Sequence, residues 1–180
     1  MLAACGGFFG DTGVRRAAFT SKEFGVAASP RVTWSKYPKR GGGRYMVGQP
    51  YQVRGKWYVP KDQPNYVAQG TASWYGNDFH GRLTANGEIF SANSITGGHP
   101  TLPLPSYVRV TNLDNGRALT VRINDRGPYM DGRIIDLSQR SAELLGFINQ
   151  GTADVKVQYV GPAPLNGDDT RMLLASLDTS

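Results

Sequence analysis

The segment SYVRVTNLDNGRALTVRIND, residues 106–125, constrains the fold more than any other stretch of the chain. In its first half Val108 and Val110 alternate with polar neighbours, and the run breaks at Asp114, Asn115 and Gly116. In its second half Leu119, Val121 and Ile123 fall on one face of a strand, because side chains two residues apart share a face. Asn-Gly between two alternating runs is a strong turn signal, so the segment reads as a β-hairpin. A hairpin with one apolar face needs a partner to cover that face.

The rest of the chain supplies similar pieces. DVKVQYVG, residues 154–161, alternates Val155, Val157 and Tyr159 as a closing strand, and VAQGTASWYG, residues 67–76, opens the compact region. One helix is expected at SQRSAELLGF, with Ser138 capping its first turn, Ala142, Leu144 and Leu145 on its apolar side, and Gly146 ending it. Many short strands, one small helix and no βαβ rhythm argue for a closed or nearly closed β-barrel.

Outside this region the composition changes. Residues 1–43 are rich in Gly, Ser, Pro and basic residues and read as a flexible tether. Residues 44–65 carry Tyr, Trp and Val with Gly punctuation and read as a strap packed on the barrel, which takes residues 66–162. Residues 163–180 form a tail with no assigned place, and no further domain is visible in it.

The 180 residues carry a net charge of +6, unevenly placed. Residues 1–65 hold eleven Lys/Arg and three acids, whereas residues 66–160 hold eight of each. A nucleic-acid-binding barrel would need a basic groove in that neutral middle, so nucleic acid is not an expected partner. No stretch approaches the roughly 20 consecutive apolar residues of a membrane-spanning helix. The only cysteine, Cys5, excludes an internal disulfide, and Leu2, Ala3 and Ala4 before it resemble the lipobox of a bacterial lipoprotein.

Two histidines and one cysteine leave little for a multi-ligand metal site, and no metal or cofactor is expected. No GxSxG elbow, phosphate loop or dinucleotide fingerprint is present. Three loop residues stand out: Glu88 in TANGEIF, His99 in GGHPTLPLP and Asp125 in NDRGPY. Each also fits a blander role, because acids at turns commonly hydrogen-bond their own backbone. Taken with Trp74, Tyr75, Asn86 and Tyr129, they compose a carbohydrate cleft: aromatic faces for sugar rings, amides for hydroxyls, and acids for proton transfer.

The ordered motifs GTASWYGNDFHGRLTANGEIF, HPTLPLPSYVRVTNLDNGR and VRINDRGPYMDGRIIDLSQRSAELLGF resemble the RlpA, or rare lipoprotein A, family of bacteria over residues 44–162. The resemblance implies an all-β fold, a six-stranded double-psi β-barrel with one or two short helices. It further implies lytic transglycosylase activity on peptidoglycan glycan strands, with Asp125 as the functional acid, Glu88 its partner acid and His99 the family histidine. Gly97 and Gly98 stand where the family commonly has alanines. The resemblance also implies lipidation at Cys5, attachment to the outer membrane of a Gram-negative cell facing the periplasm, and cell-division or envelope proteins as candidate partners. The competing reading is a non-catalytic, expansin-like module that binds peptidoglycan without cutting it.

As the acid, Asp125 must be protonated part of the time near neutral pH. That requires desolvation or a neighbouring negative charge, a role expected of Glu88. It also requires the Arg126 guanidinium to point away from Asp125, toward another acid for instance.

Overall fold

The hairpin expected at residues 106–125 forms, and the other strands close around it. The computed structural model describes residues 29–180. Two short strands, β1 (Tyr51–Val53) and β2 (Lys56–Tyr58), pair as a separate antiparallel hairpin. Then follow β3 (Val67–Trp74), β4 (Thr96–Gly98), β5 (Ser106–Asn112), β6 (Ala118–Asp125), β7 (Arg133–Leu137) and β8 (Thr152–Pro162). Helix α1 (Gln139–Leu145) lies between β7 and β8, and α2 (Thr170–Ala175) follows β8.

Six strands close a barrel in the order β3-β7-β4-β6-β5-β8. The β3–β7 and β4–β6 pairs are parallel and the other four antiparallel. Closure leaves no open sheet edge. Inside sit Val108 and Val110 from β5, Leu119, Val121 and Ile123 from β6, Ile135 and Leu137 from β7, and Val155 and Val157 from β8, all fully buried. These are the positions that the period-two pattern places on one face.

Helix α1 begins and ends as its residues dictate. The Ser138 hydroxyl accepts from the Ser141 amide, and Gly146 takes the left-handed conformation at φ 78°. Its Ala142 and Leu145 complete the core.

Both flanks lie on the barrel. Of the stretch expected as a tether, residues 29–43, where described, are held by main-chain bonds: Val32 donates to Gly81 O and Gly42 to Leu165 O. The strap continues with Arg44 donating to Asn86 O and Met46 bonding Leu104 in both directions. The tail is likewise fixed, by Leu173 in the core, Asp169 in a buried ion cluster and Asp178 paired with Ala118. Composition pointed to a flexible tether at residues 1–43 because the described part of it is held by main-chain bonds, which leave no periodic pattern. Among the described residues no helix is long and apolar enough to cross a membrane.

Candidate active site

Asp125 is the last residue of β6, at the point where the chain turns through Arg126, Gly127 and Pro128. Two backbone amides, Ala85 at 3.0 Å and Arg126 at 2.8 Å, donate to its Oδ1. The residue is part-exposed while protein crowds its carboxyl, and desolvation, with a contribution from the Asp136 charge, pushes its pKa up to about 6. The two amides and the Arg126 charge act in the opposite direction without cancelling the effect.

Arg126 turns its guanidinium away from that carboxyl. It donates to the carbonyls of His99 at 3.1 Å, Leu102 at 2.5 Å and Val47 at 2.7 Å. Carbonyls, not a second acid, are its partners. The cation therefore cross-links the strap, the HPTLP loop and the β6 turn.

Asp136 on β7 is the neighbouring acid that raises Asp125, in place of the Glu88 expected from sequence. Its Oδ1 accepts from the Ser73 hydroxyl at 2.5 Å and from Arg133, and burial raises its own pKa. Its Oδ2 has no hydrogen-bond partner among the described residues. Glu88 is instead held by Arg122 at 2.9 Å and by the Asn86 amide at 2.9 Å. The same Arg122 holds Asp169 at 3.0 Å, and Asp169 accepts from the Tyr107 hydroxyl at 2.9 Å. This cluster lies beside a cavity of about 20 Å³ bordered by Gly41 and Gly167 from the two flanks.

His99 is 2% exposed, and desolvation, then the Arg126 charge, lowers its pKa to about 3. Its Nδ1 accepts from the Thr101 and Leu102 amides, both at 3.1 Å. The proton of the neutral ring therefore sits on Nε2, which donates to the Tyr66 hydroxyl at 2.9 Å. Its backbone amide donates to the Asp125 carbonyl at 3.0 Å. His99 thus ties the HPTLP loop to the strand end that presents the acid.

The expected sugar contacts separate. Tyr129 stands beside Asp125, its ring packed edge-on against Tyr51 and Tyr58. Trp74 packs on the barrel core. Asn86 is fully buried and holds Glu88 instead of facing a ligand. Tyr75 is 4% exposed, packed between Phe79 and Phe90, with its hydroxyl buried close to Gly98 and Gly127. Cys5 lies outside the described residues.

Sequence reasoning missed Arg122, Asp169 and Tyr66. Arg122 sits among polar positions of β6 that read as solvent-facing, and the tail that covers it carried no signal. Among the described residues no three His, Cys, Asp or Glu side chains are grouped to hold a metal.

A family model described as lytic transglycolase matches residues 67–157. The endolytic peptidoglycan transglycosylase RlpA of Neisseria meningitidis serogroup A is 54% identical over 113 residues, covering 62% of this chain and 47% of that protein. The protein of the same name from Pseudomonas aeruginosa strain UCBPP-PA14 is 56% identical over 118 residues, covering 65% of this chain and 35% of its own length. This chain therefore spans half or less of these two relatives. Among solved structures, a Streptomyces papain inhibitor aligns over 56% of this chain and 99% of its own, with TM-score 0.45 and 23% identity. With half of its residues matched by that model, the chain belongs to the lytic transglycolase family, the RlpA-type double-psi β-barrels its motifs resemble.

Proposed function

We propose that the barrel is an endolytic peptidoglycan lytic transglycosylase, cutting the β-1,4 bond between N-acetylmuramic acid and N-acetylglucosamine to leave 1,6-anhydromuramic ends. The supporting observation is the Asp125 carboxyl, with one oxygen fixed by two amides and its pKa pushed up to about 6. The names of the relatives point to the same chemistry.

With Oδ1 occupied as an acceptor, the proton of the neutral acid belongs on Oδ2. Asp125 passes that proton to the glycosidic oxygen as its bond to the anomeric carbon breaks, releasing the N-acetylglucosamine hydroxyl. The resulting carboxylate lies beside the developing positive charge. It then takes the proton of the muramic 6-hydroxyl as that oxygen bonds to the anomeric carbon. The acid ends protonated, as it began, and no water is consumed. His99 positions the loop and strand end around Asp125. Glu88, paired with Arg122, orders the 84–88 turn whose Ala85 amide holds the acid.

Lipidation at Cys5 would place this barrel at the periplasmic face of an outer membrane, with glycan strands as its polymer partner and envelope proteins as further partners. Mass spectrometry of the membrane-extracted N-terminus tests the anchor. Digestion of sacculi and of peptide-stripped strands by wild type and Asp125→Asn tests the activity. Release of 1,6-anhydro ends by wild type alone is expected. Binding without cutting by both proteins would instead establish the expansin-like reading.

A further inference from the structure

The matched barrel does not by itself build the cleft beside the Asp125 turn. One wall comes from the β1–β2 hairpin, outside residues 67–157, through Lys56 and Tyr58. Pro128 and Asp131 stand on the β6–β7 connection opposite, and Tyr66 and His99 also line the space, which measures about 270 Å³. The hairpin is pinned in place. Tyr51 and Tyr58 stack with ring centroids 5.4 Å apart, and Tyr129 meets them edge-on at 6.0 and 5.2 Å. The Tyr51 hydroxyl donates to Pro100 O at 2.7 Å, and Arg126 holds Val47 just before the hairpin. Pro128, which lines the cleft, belongs to the same turn as Asp125, so the cleft borders the segment that carries the acid.

Three charged side chains line it: Lys56, Asp131 and Arg133. Arg133 is committed to the buried Asp136 carboxylate. Lys56 contacts Asp131 at 3.3 Å, with side chains 59% and 98% exposed. Exposed pairs of this kind are held only weakly, so an incoming carboxylate displaces Asp131 at small cost. The volume suits one sugar ring, and the lining is aromatic with a few polar groups, the usual make-up of a small-ligand site.

We infer that this cleft is a subsite for a single sugar ring carrying a carboxylate, and that Lys56 is the residue that selects for the carboxylate. The inference rests on the proposed function in one respect: a muramic residue freed of its stem peptide presents such a group.

The test uses the full chain in an Asp125→Asn background, so that strands survive, and measures Kd for peptide-stripped strands and for the same strands with their carboxylates amidated. Lys56→Met is expected to weaken binding of the carboxylate strands roughly fivefold and to leave the amidated strands unchanged. Lys56→Arg retains most of the affinity, and Asp131→Asn tightens carboxylate binding alone. With Asp125 intact, Lys56→Met raises KM and leaves kcat unchanged. Equal weakening on both strand types, or none on either, overturns the inference. Should the Lys56 effect on binding persist while wild type releases no anhydro ends, the transglycosylase reading fails and the subsite stands.

Discussion

Arg122 on β6 grips Asp169 of the C-terminal segment at 3.0 Å while its Nε donates to Glu88 at 3.0 Å, so one buried guanidinium joins the barrel wall, the 84–88 turn and the tail. Both carboxylates are nearly excluded from solvent. Removing the cation leaves two buried negative charges without compensation, the situation in which breaking an ion pair costs most. Arg122→Met is expected to lower stability by about 3–5 kcal/mol, read as a lower urea midpoint at unchanged slope. The triple variant Glu88→Gln/Arg122→Met/Asp169→Asn recovers much of that loss. A single variant within 1 kcal/mol of wild type would show that the cluster is not the link between tail and barrel.

The raised pKa of Asp125 has a consequence for activity. Cleavage requires the protonated form, so kcat/KM should fall above about pH 6, by about tenfold per pH unit once the acid is ionised. Asp136→Asn removes a negative charge that raises Asp125 and that offsets the Arg133 cation, so the descending limb moves to lower pH. An unmoved limb would rule out Asp136 as the tuning charge.

The same shift has an opposite consequence for stability. A carboxyl whose folded pKa lies above its unfolded value destabilises the fold progressively as pH rises from about 3.8 through 6. Asp125→Asn does not titrate. It should therefore match or trail wild type at pH 3 and gain on it by on the order of 1–3 kcal/mol above pH 6. Paired denaturant curves at the two pH values check the sign.

His99 works in the other direction. Its folded pKa near 3 lies below the ordinary 6.5, so its neutral form supports the fold fully above pH 6.5, and that support is lost as pH falls toward 3. His99→Gln keeps an amide acceptor and loses the titration. The stability gap between wild type and variant should shrink by a few kcal/mol between pH 7 and pH 4. A gap independent of pH would mean that His99 is not held neutral.

Strands with a buried face were legible in the sequence because Val108, Val110, Leu119, Val121 and Ile123 repeat at the period that sheet geometry imposes. The place of Asp125 at a strand end was legible from the alternation that precedes it, whereas its role as the acid was an expectation drawn from the family resemblance alone. Asp169 was not legible, because nothing in NGDDT marks which acid meets an arginine 47 residues away. Nor was the placement of Asn86 and Tyr75, since burial of a polar tip depends on which segment folds over it. The strap hairpin showed as a composition, while its role as a cleft wall depends on the Tyr51, Tyr58 and Tyr129 rings meeting across the fold.

Gly97 and Gly98 have a reason in their surroundings. A Cβ on Gly97 would meet the Asp136 carbonyl at 2.8 Å, and one on Gly98 would press on the Tyr75 hydroxyl well inside contact distance. Tyr75 is wedged between Phe79 and Phe90 and cannot swing aside freely. Gly98→Ala is therefore expected to cost about 1–3 kcal/mol, the usual range for overpacking a core. Removing the clashing oxygen should relieve it: in Tyr75→Phe/Gly98→Ala the added methyl occupies the space the hydroxyl vacates. The double variant is expected to be more stable than Gly98→Ala alone, with a coupling energy of at least about 0.5 kcal/mol between the sites. Strict additivity in that cycle would show that the Tyr75 hydroxyl does not exclude a side chain at position 98.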